Sequence, residues 1–106
     1  MSSYLAQPPS SVDAEIVLLG SLLIDSEAFD IVCDVLEPAD FHDPRHEKIY
    51  EAMQDIASSG GRIDAVVVAE RLRAKGQLEE VGGAAYLATL IESTPSASHV
   101  EHYARI

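Results

Sequence analysis

The stretch DPRHEKIYEAMQDIASSGG, residues 43–61, reads as one complete helix with both ends written out. Asp43 followed by Pro44 is an N-cap residue followed by a proline at the first helical position. There the missing N–H costs nothing and the fixed φ suits the helix. Ile49, Ala52, Met53 and Ile56 recur at the spacing that lines one helical face, and Gly60-Gly61 supplies the residues at which a helix most readily stops. Glu47, Glu51 and Asp55 follow i, i+4 spacing opposite that stripe. They read as a solvated face rather than as catalytic carboxylates, and their like charges slightly oppose their own helix.

The same punctuation recurs on both sides. Toward the N-terminus, Pro8-Pro9 keeps residues 1–9 extended as a flexible lead. Ser11 or Val12 then opens a helix with Asp13 and Glu15 in its first turn, where the macrodipole favours acids. Ile16, Val17, Leu18, Leu19, Leu22 and Leu23 make it apolar around most of its circumference, as expected of a central buried helix. Asp25 caps a second helix, on which Phe29, Val32, Cys33 and Leu36 share a face until Pro38 ends it. After residue 61, Asp64 caps a fourth. Val66-Val67-Val68 would suit a strand, yet Ala65, Val68, Ala69 and Leu72 share a helical face, Arg71, Arg73 and Lys75 fill the last turn, and Gly76 stands at the C′ position. A fifth helix follows Gly82-Gly83, with Ala84, Leu87, Leu90 and Ile91 inward. Gly82-Gly83 is either a close turn that brings this helix onto its neighbours or simply a flexible loop. After Pro95, Ser96 or Ser98 caps a last helix bearing Val100, Tyr103 and Ala104.

The expectation is an all-α fold: a compact orthogonal bundle of about six helices, with a head over residues 10–95 and a truncated last helix over 96–106. That last helix has room for only about three turns, too few to bury its stripe, so the chain reads as the N-terminal piece of something longer. The length of 106 residues suits one domain. Eighteen acids against seven bases give a formal charge of -11, which would repel phosphate over most of the surface and makes direct nucleic-acid binding unexpected. The single cysteine, Cys33, cannot pair within the chain. It reads as a small core hydrophobe in a reducing compartment, flanked in sequence by Asp30 and Asp34 rather than by activating bases. The longest apolar run, Ile16 to Ile24, is interrupted by Gly20 and Ser21 and is too short for a membrane span.

Chemistry-bearing motifs are scarce. Neither Lys48 nor Lys75 sits in a G-x-x-x-x-G-K-[ST] phosphate loop, and there is no G-x-S-x-G elbow or C-x-x-C pair. His42 and His46 are four apart, superficially like a zinc helix. Pro44 lies between them, however, so His42 precedes the helix and the two rings do not share a face. A structural role is expected, with His46 facing the core or a neighbouring loop. His99 and His102 are three apart but supply only two ligands. No catalytic, cofactor-binding or metal-ligating residue is expected.

Pro8-Pro9-Ser10-Ser11-Val12-Asp13-Ala14-Glu15 and Leu19-Gly20-Ser21-Leu22-Leu23-Ile24-Asp25 closely resemble the opening of DnaB-type bacterial replicative helicases. The resemblance continues in order through Asp40-Phe41, His46 to Met53, Gly76 to Leu87, Thr94-Pro95-Ser96-Ala97 and Tyr103-Ala104-Arg105-Ile106, and so covers about residues 8–106. Ile16 departs from it, standing where the family often has glutamine, as does Ser98-His99 where it often has Ala-Asn. The resemblance implies a helical head followed by a hairpin whose pairing builds dimers, three of which form a collar on a hexameric ring. It implies that the collar docks the helicase-binding domain of primase. The ATP- and Mg-dependent motor would then lie in a separate domain, in a cytoplasmic replication assembly. Val100, Tyr103 and Ala104 would be hairpin contacts, or would pack back on the head. Tyr86 is either a core aromatic or an exposed anchor for the partner. The alternative from another class is a stand-alone acidic helical adaptor or a metal-dependent regulator using the histidines.

Overall fold

In the computed structural model, which describes residues 11–94, three helix starts are set by a side chain that folds back on its own backbone. Ser11 accepts from the N–H of Ala14 and opens α1, Val12–Ile24. Asp43 accepts from the N–H of Arg45 and opens α3, Pro44–Ser58, with Pro44 in its first turn. Asp64 accepts from the N–H of Val67 and opens α4, Ala65–Ala74. These bonds satisfy donors that a helix N-terminus otherwise leaves orphaned. The strand alternative for Val66-Val67-Val68 is thereby overturned. A cap and one buried stripe, Val68, Ala69 and Leu72, outweigh β-branching, and Val66 is left 72% exposed.

The second segment departs from expectation. It begins as a 3₁₀ turn, Ser26–Ala28, capped by Asp25, and only Phe29–Val32 is α-helical (α2). The following turns carry the stripe onward, so Phe29, Val32 and Leu36 are all buried although the helix is irregular. The limit is set downstream, where Pro38 keeps Glu37 extended at φ -105° and ψ 155°. The last helix, α5 (Gly83–Glu92), starts from Gly82 with φ at 104°. Gly82-Gly83 is therefore a close turn. Leu87 and Leu90 point inward as expected, while Ala84 is exposed because it faces the open side of α5. The described residues contain five α-helices and no strand; the expected sixth, with Val100, Tyr103 and Ala104, lies outside them.

The core runs through all five helices. Tyr50 sits at its centre with both Phe29 and Phe41 tilted against its ring, at centroid separations of 5.5 and 5.1 Å. Its hydroxyl donates to the Leu36 carbonyl at 2.9 Å. Helix α1 packs most extensively against α5, and α3 against α4. The first contact depends on Gly20, where a Cβ would stand 2.4 Å from the Leu90 carbonyl oxygen and 2.0 Å from Thr94 Oγ1. No helix among the described residues is long and apolar enough to cross a membrane.

Candidate functional site

A buried polar cluster joins the first turns of α1 and α3 to α5. Glu15 and His46 are both completely shielded from solvent, and a buried charge is tolerable only when its lone pairs are used. Those of Glu15 are. One carboxylate oxygen accepts from His46 Nδ1 at 2.7 Å and from the Asp43 N–H at 3.3 Å. The other accepts from the His42 N–H and from His42 Nδ1, the latter at 3.0 Å. Burial works to raise the Glu15 pKa. The bonds from the His42 backbone, the two imidazoles and the Asp43 backbone outweigh it and hold the carboxyl below its ordinary range.

A carboxylate only accepts, so Nδ1 of His46 carries a proton. Nε2 lies 2.6 Å from the Tyr86 hydroxyl, so the ring bridges the carboxylate and the phenol. The two ring planes are 13° apart. The tyrosine ring is half-buried, and its outer face carries the Arg45 guanidinium, 4.3 Å from the ring centroid. Arg45 in turn donates from Nε and Nη2 to Asp43, the Nη2 contact being 2.7 Å. These bonds, with the Asp43 cap, draw the Asp43 carboxyl down to about 2. Burial pushes the Tyr86 hydroxyl above its ordinary pKa, so it stays protonated at neutral pH. The arrangement fixes the tyrosine ring and offers no activated nucleophile. Gly82 makes room for it, since a Cβ there would stand 2.9 Å from Tyr86 Cβ.

His42 and His46 are thus brought together, though as partners of one carboxylate. Among the described residues no three His, Cys, Asp or Glu side chains converge to hold a metal ion. Cys33 is half-exposed at the edge of the core, and burial together with Asp34 and Asp30 raises its thiol pKa. Tyr86 lies between core and surface, with its hydroxyl tied inward to His46 and part of its ring exposed. The other expected assembly residues, Val100, Tyr103 and Ala104, lie outside the described residues, as do His99 and His102. Glu15 is the residue that sequence reasoning missed. It was legible as an acid on the face of Leu18, Leu19 and Leu22, at i+3, i+4 and i+7.

This geometry sits on a sequence that matches, over residues 7–106, the family described as the DnaB-like helicase N terminal domain. The chain belongs to that family. It is 42% identical over 99 residues to the replicative DNA helicase DnaB of Geobacillus stearothermophilus, the match covering 93% of this chain and 22% of that protein. The corresponding protein of Treponema pallidum is 37% identical, with 93% and 23% covered. The chain therefore spans less than a quarter of the length of these curated relatives. The crystal structure of the N-terminal domain of DnaB helicase from Mycobacterium tuberculosis superimposes with a TM-score of 0.79 at 41% identity, covering 92% of this chain and 68% of that one. The all-α architecture is accordingly that of a DnaB N-terminal domain.

Proposed function

We propose that this DnaB N-terminal domain acts in DNA replication as a collar and docking module of a hexameric helicase. In this reading it carries no chemistry of its own. ATP and Mg²⁺ are used by a motor domain elsewhere in the parent protein, in the bacterial cytoplasm, and the present domain holds subunits together and receives the helicase-binding domain of primase. The observation that carries the reading is Tyr86. A ring with one edge exposed, its hydroxyl anchored on His46 and its face stacked on Arg45, is ordered before a partner arrives. Little conformational entropy then remains to be lost on binding. The net charge of -11 supports protein docking over tracking along DNA and speeds encounter with a basic partner surface.

Titration calorimetry with a primase helicase-binding domain tests this. Tyr86→Ala should weaken binding by about tenfold, the equivalent of ~1.4 kcal/mol, while Tyr86→Phe, which keeps the ring, should weaken it far less. A chain extended through the whole hairpin should bind more tightly than the 106-residue chain, because a surface shared between neighbouring subunits is incomplete in a monomer. Equal affinity of the two lengths removes the shared surface, and absence of binding by both removes primase docking. Sedimentation of the 106-residue chain at micromolar concentration should show monomer or weak dimer; a tight hexamer contradicts the expectation that pairing needs the full hairpin.

A further inference from the structure

Helices α4 and α5 meet at the surface in an open groove of about 300 Å³. Its apolar lining is Ala65, Val66 and Ala69 from α4 and Ala84, Ala88 and Ile91 from α5. The three from α5 stand at i, i+4 and i+7, on the side of that helix away from Tyr86. Val66 is 72% exposed, the highest value among the large apolar side chains described, and Ala84 and Ala88 are exposed as well. The charges on the rim cancel, since Glu70 and Arg73 stand one turn apart on α4 with their charged groups separated by 3.9 Å. On a chain of formal charge -11, this groove has an apolar floor and no net charge. It selects an uncharged apolar occupant, because a charged one would lose its hydration against alanine and valine with nothing in exchange.

One segment of the chain has that chemistry. Residues 1–12, MSSYLAQPPSSV, hold none of the 18 acids and seven bases, and include Tyr4 and Leu5. Residues 1–10 lie outside the described residues, but α1 fixes the point from which they depart. Helix α1 runs parallel to α5, since Glu15 reaches Tyr86 through His46 while Gly20, farther along, meets Leu90 and Thr94. Ser11, one turn before Glu15, therefore stands at the end where α5 begins, and Ala84 opens the groove at that same end. Packed helix axes lie about 8–10 Å apart, which puts the mouth of the groove roughly 15 Å from Ser11. Pro8-Pro9 keeps the approach extended, and at about 3.1 Å per residue the chain from Ser10 back to Tyr4 spans ~19 Å. The path crosses Gly82-Gly83, where the backbone carries no side chain, and at Gly83 even an added Cβ would touch nothing. We propose that residues 1–10 fold back as a strap over the first turn of α5, with Tyr4 and Leu5 seated in the groove between Val66, Ala69, Ala84 and Ala88. Neighbouring side chains of an extended segment point to opposite sides, one toward each helical wall. The tether supplies an effective concentration in the millimolar range, so two seated side chains suffice. A partner for this face must first displace the strap. Tyr4 and Leu5 precede the family match, which begins at residue 7, so the strap is a property of this chain rather than of the shared architecture. It uses none of the residues of the Tyr86 cluster, and so stands or falls apart from the primase reading. A second copy of the chain is a poorer occupant, because two chains of charge -11 repel one another.

The test compares amide spectra of the 106-residue chain with those of a chain lacking residues 2–7. Deletion should move the signals of residues 65–70 and 84–91 and leave those of α3 in place. Tyr4→Ala with Leu5→Ala should reproduce the same shifts at full length. A nitroxide on Ser3→Cys, in a Cys33→Ser background, should broaden the amides of Val66, Ala84 and Ala88 far more than those of Asp30 and Gln54. Val66→Asp puts an acid at an exposed position in the first turn of α4, where the macrodipole favours it. It should abolish the broadening while leaving the melting curve nearly unchanged. Groove signals that stay put on deletion, broadening spread evenly over the surface, or broadening that survives Val66→Asp overturns the proposal. So do groove shifts that depend on chain concentration and persist without residues 2–7, because a second copy would then be the occupant.

Discussion

Helices α1 and α5 are joined twice, and the two joints are built on opposite principles. At one, Glu15 reaches Tyr86 through the ring of His46, a relay of directional groups that must all be present. At the other, Gly20 works by lacking an atom, which lets α1 come up against the Leu90 carbonyl and Thr94. Thr94 is itself buried, its hydroxyl donating back to Leu90 at 2.8 Å. The polar joint is exposed to deletion of any member and to acid. The close-packed joint is indifferent to acid and intolerant of added volume. A single pair of helices thus shows specificity achieved by satisfied polar groups beside specificity achieved by shape.

The largest expected effect is at the polar joint. Glu15→Ala strips the acceptor from His46 Nδ1 and from the His42 and Asp43 amides, and removing one partner of a buried charged cluster costs about 3–5 kcal/mol. Urea unfolding should show this loss with an unchanged slope; a cost below that of an ordinary surface substitution would mean the cluster does not hold α1. At the packed joint, Gly20→Ala gains helix propensity but forces backbone apart, for a net cost of about 1–3 kcal/mol. The two costs should part company with pH: that of Gly20→Ala should be equal at pH 7 and pH 3, and that of Glu15→Ala should shrink in acid.

Acid titration of the unaltered chain should have an effect of up to about 2 kcal/mol. Glu15 and Asp43 both titrate below their ordinary values when folded, Asp43 at about 2. Their contribution is complete above the unfolded carboxyl pKa, near 4, and is lost as pH falls from there toward 2. Urea midpoints measured across that window should fall in the unaltered chain and fall less in Glu15→Ala. A flat profile would contradict the ionised state assigned to Glu15. Smallest is Tyr86→Phe, which removes one hydrogen bond and should cost about 1 kcal/mol, leaving the ring stacked under Arg45.

Helix α3 was legible from end to end because everything that determines it is local: the Asp43 cap, Pro44, the stripe Ile49, Ala52, Met53 and Ile56, and the glycines after Ser58. The all-α class and the α4 cap were legible for the same reason. The second segment was read as one helix because its apolar spacing is helical, and that spacing is kept. The backbone is not regular, since Pro38 and the extended Glu37 limit it from downstream. Glu15 was read as a first-turn acid complementing the macrodipole. Its position is right, but its partners lie 27 to 31 residues away in sequence, and only the fold brings them together. Gly20 was read as an interruption of an apolar run, when it is the condition for the close approach of α1 to Leu90 and Thr94. In both cases the missing information was which element would lie across the residue.

The relay from Glu15 to Tyr86 also restricts how this domain can change over generations. Replacing His46 alone strands a buried carboxylate, and replacing Glu15 alone strands a buried imidazole and two amides. The middle and inner members therefore cannot drift one at a time without passing through a poorly folded ancestor. Tyr86, at the outer end, is freer, because phenylalanine keeps the ring and forfeits one bond. Lineages that separate should consequently vary first at the outer, half-exposed end and last at the carboxylate, which lets the surface diversify while the frame behind it stays fixed.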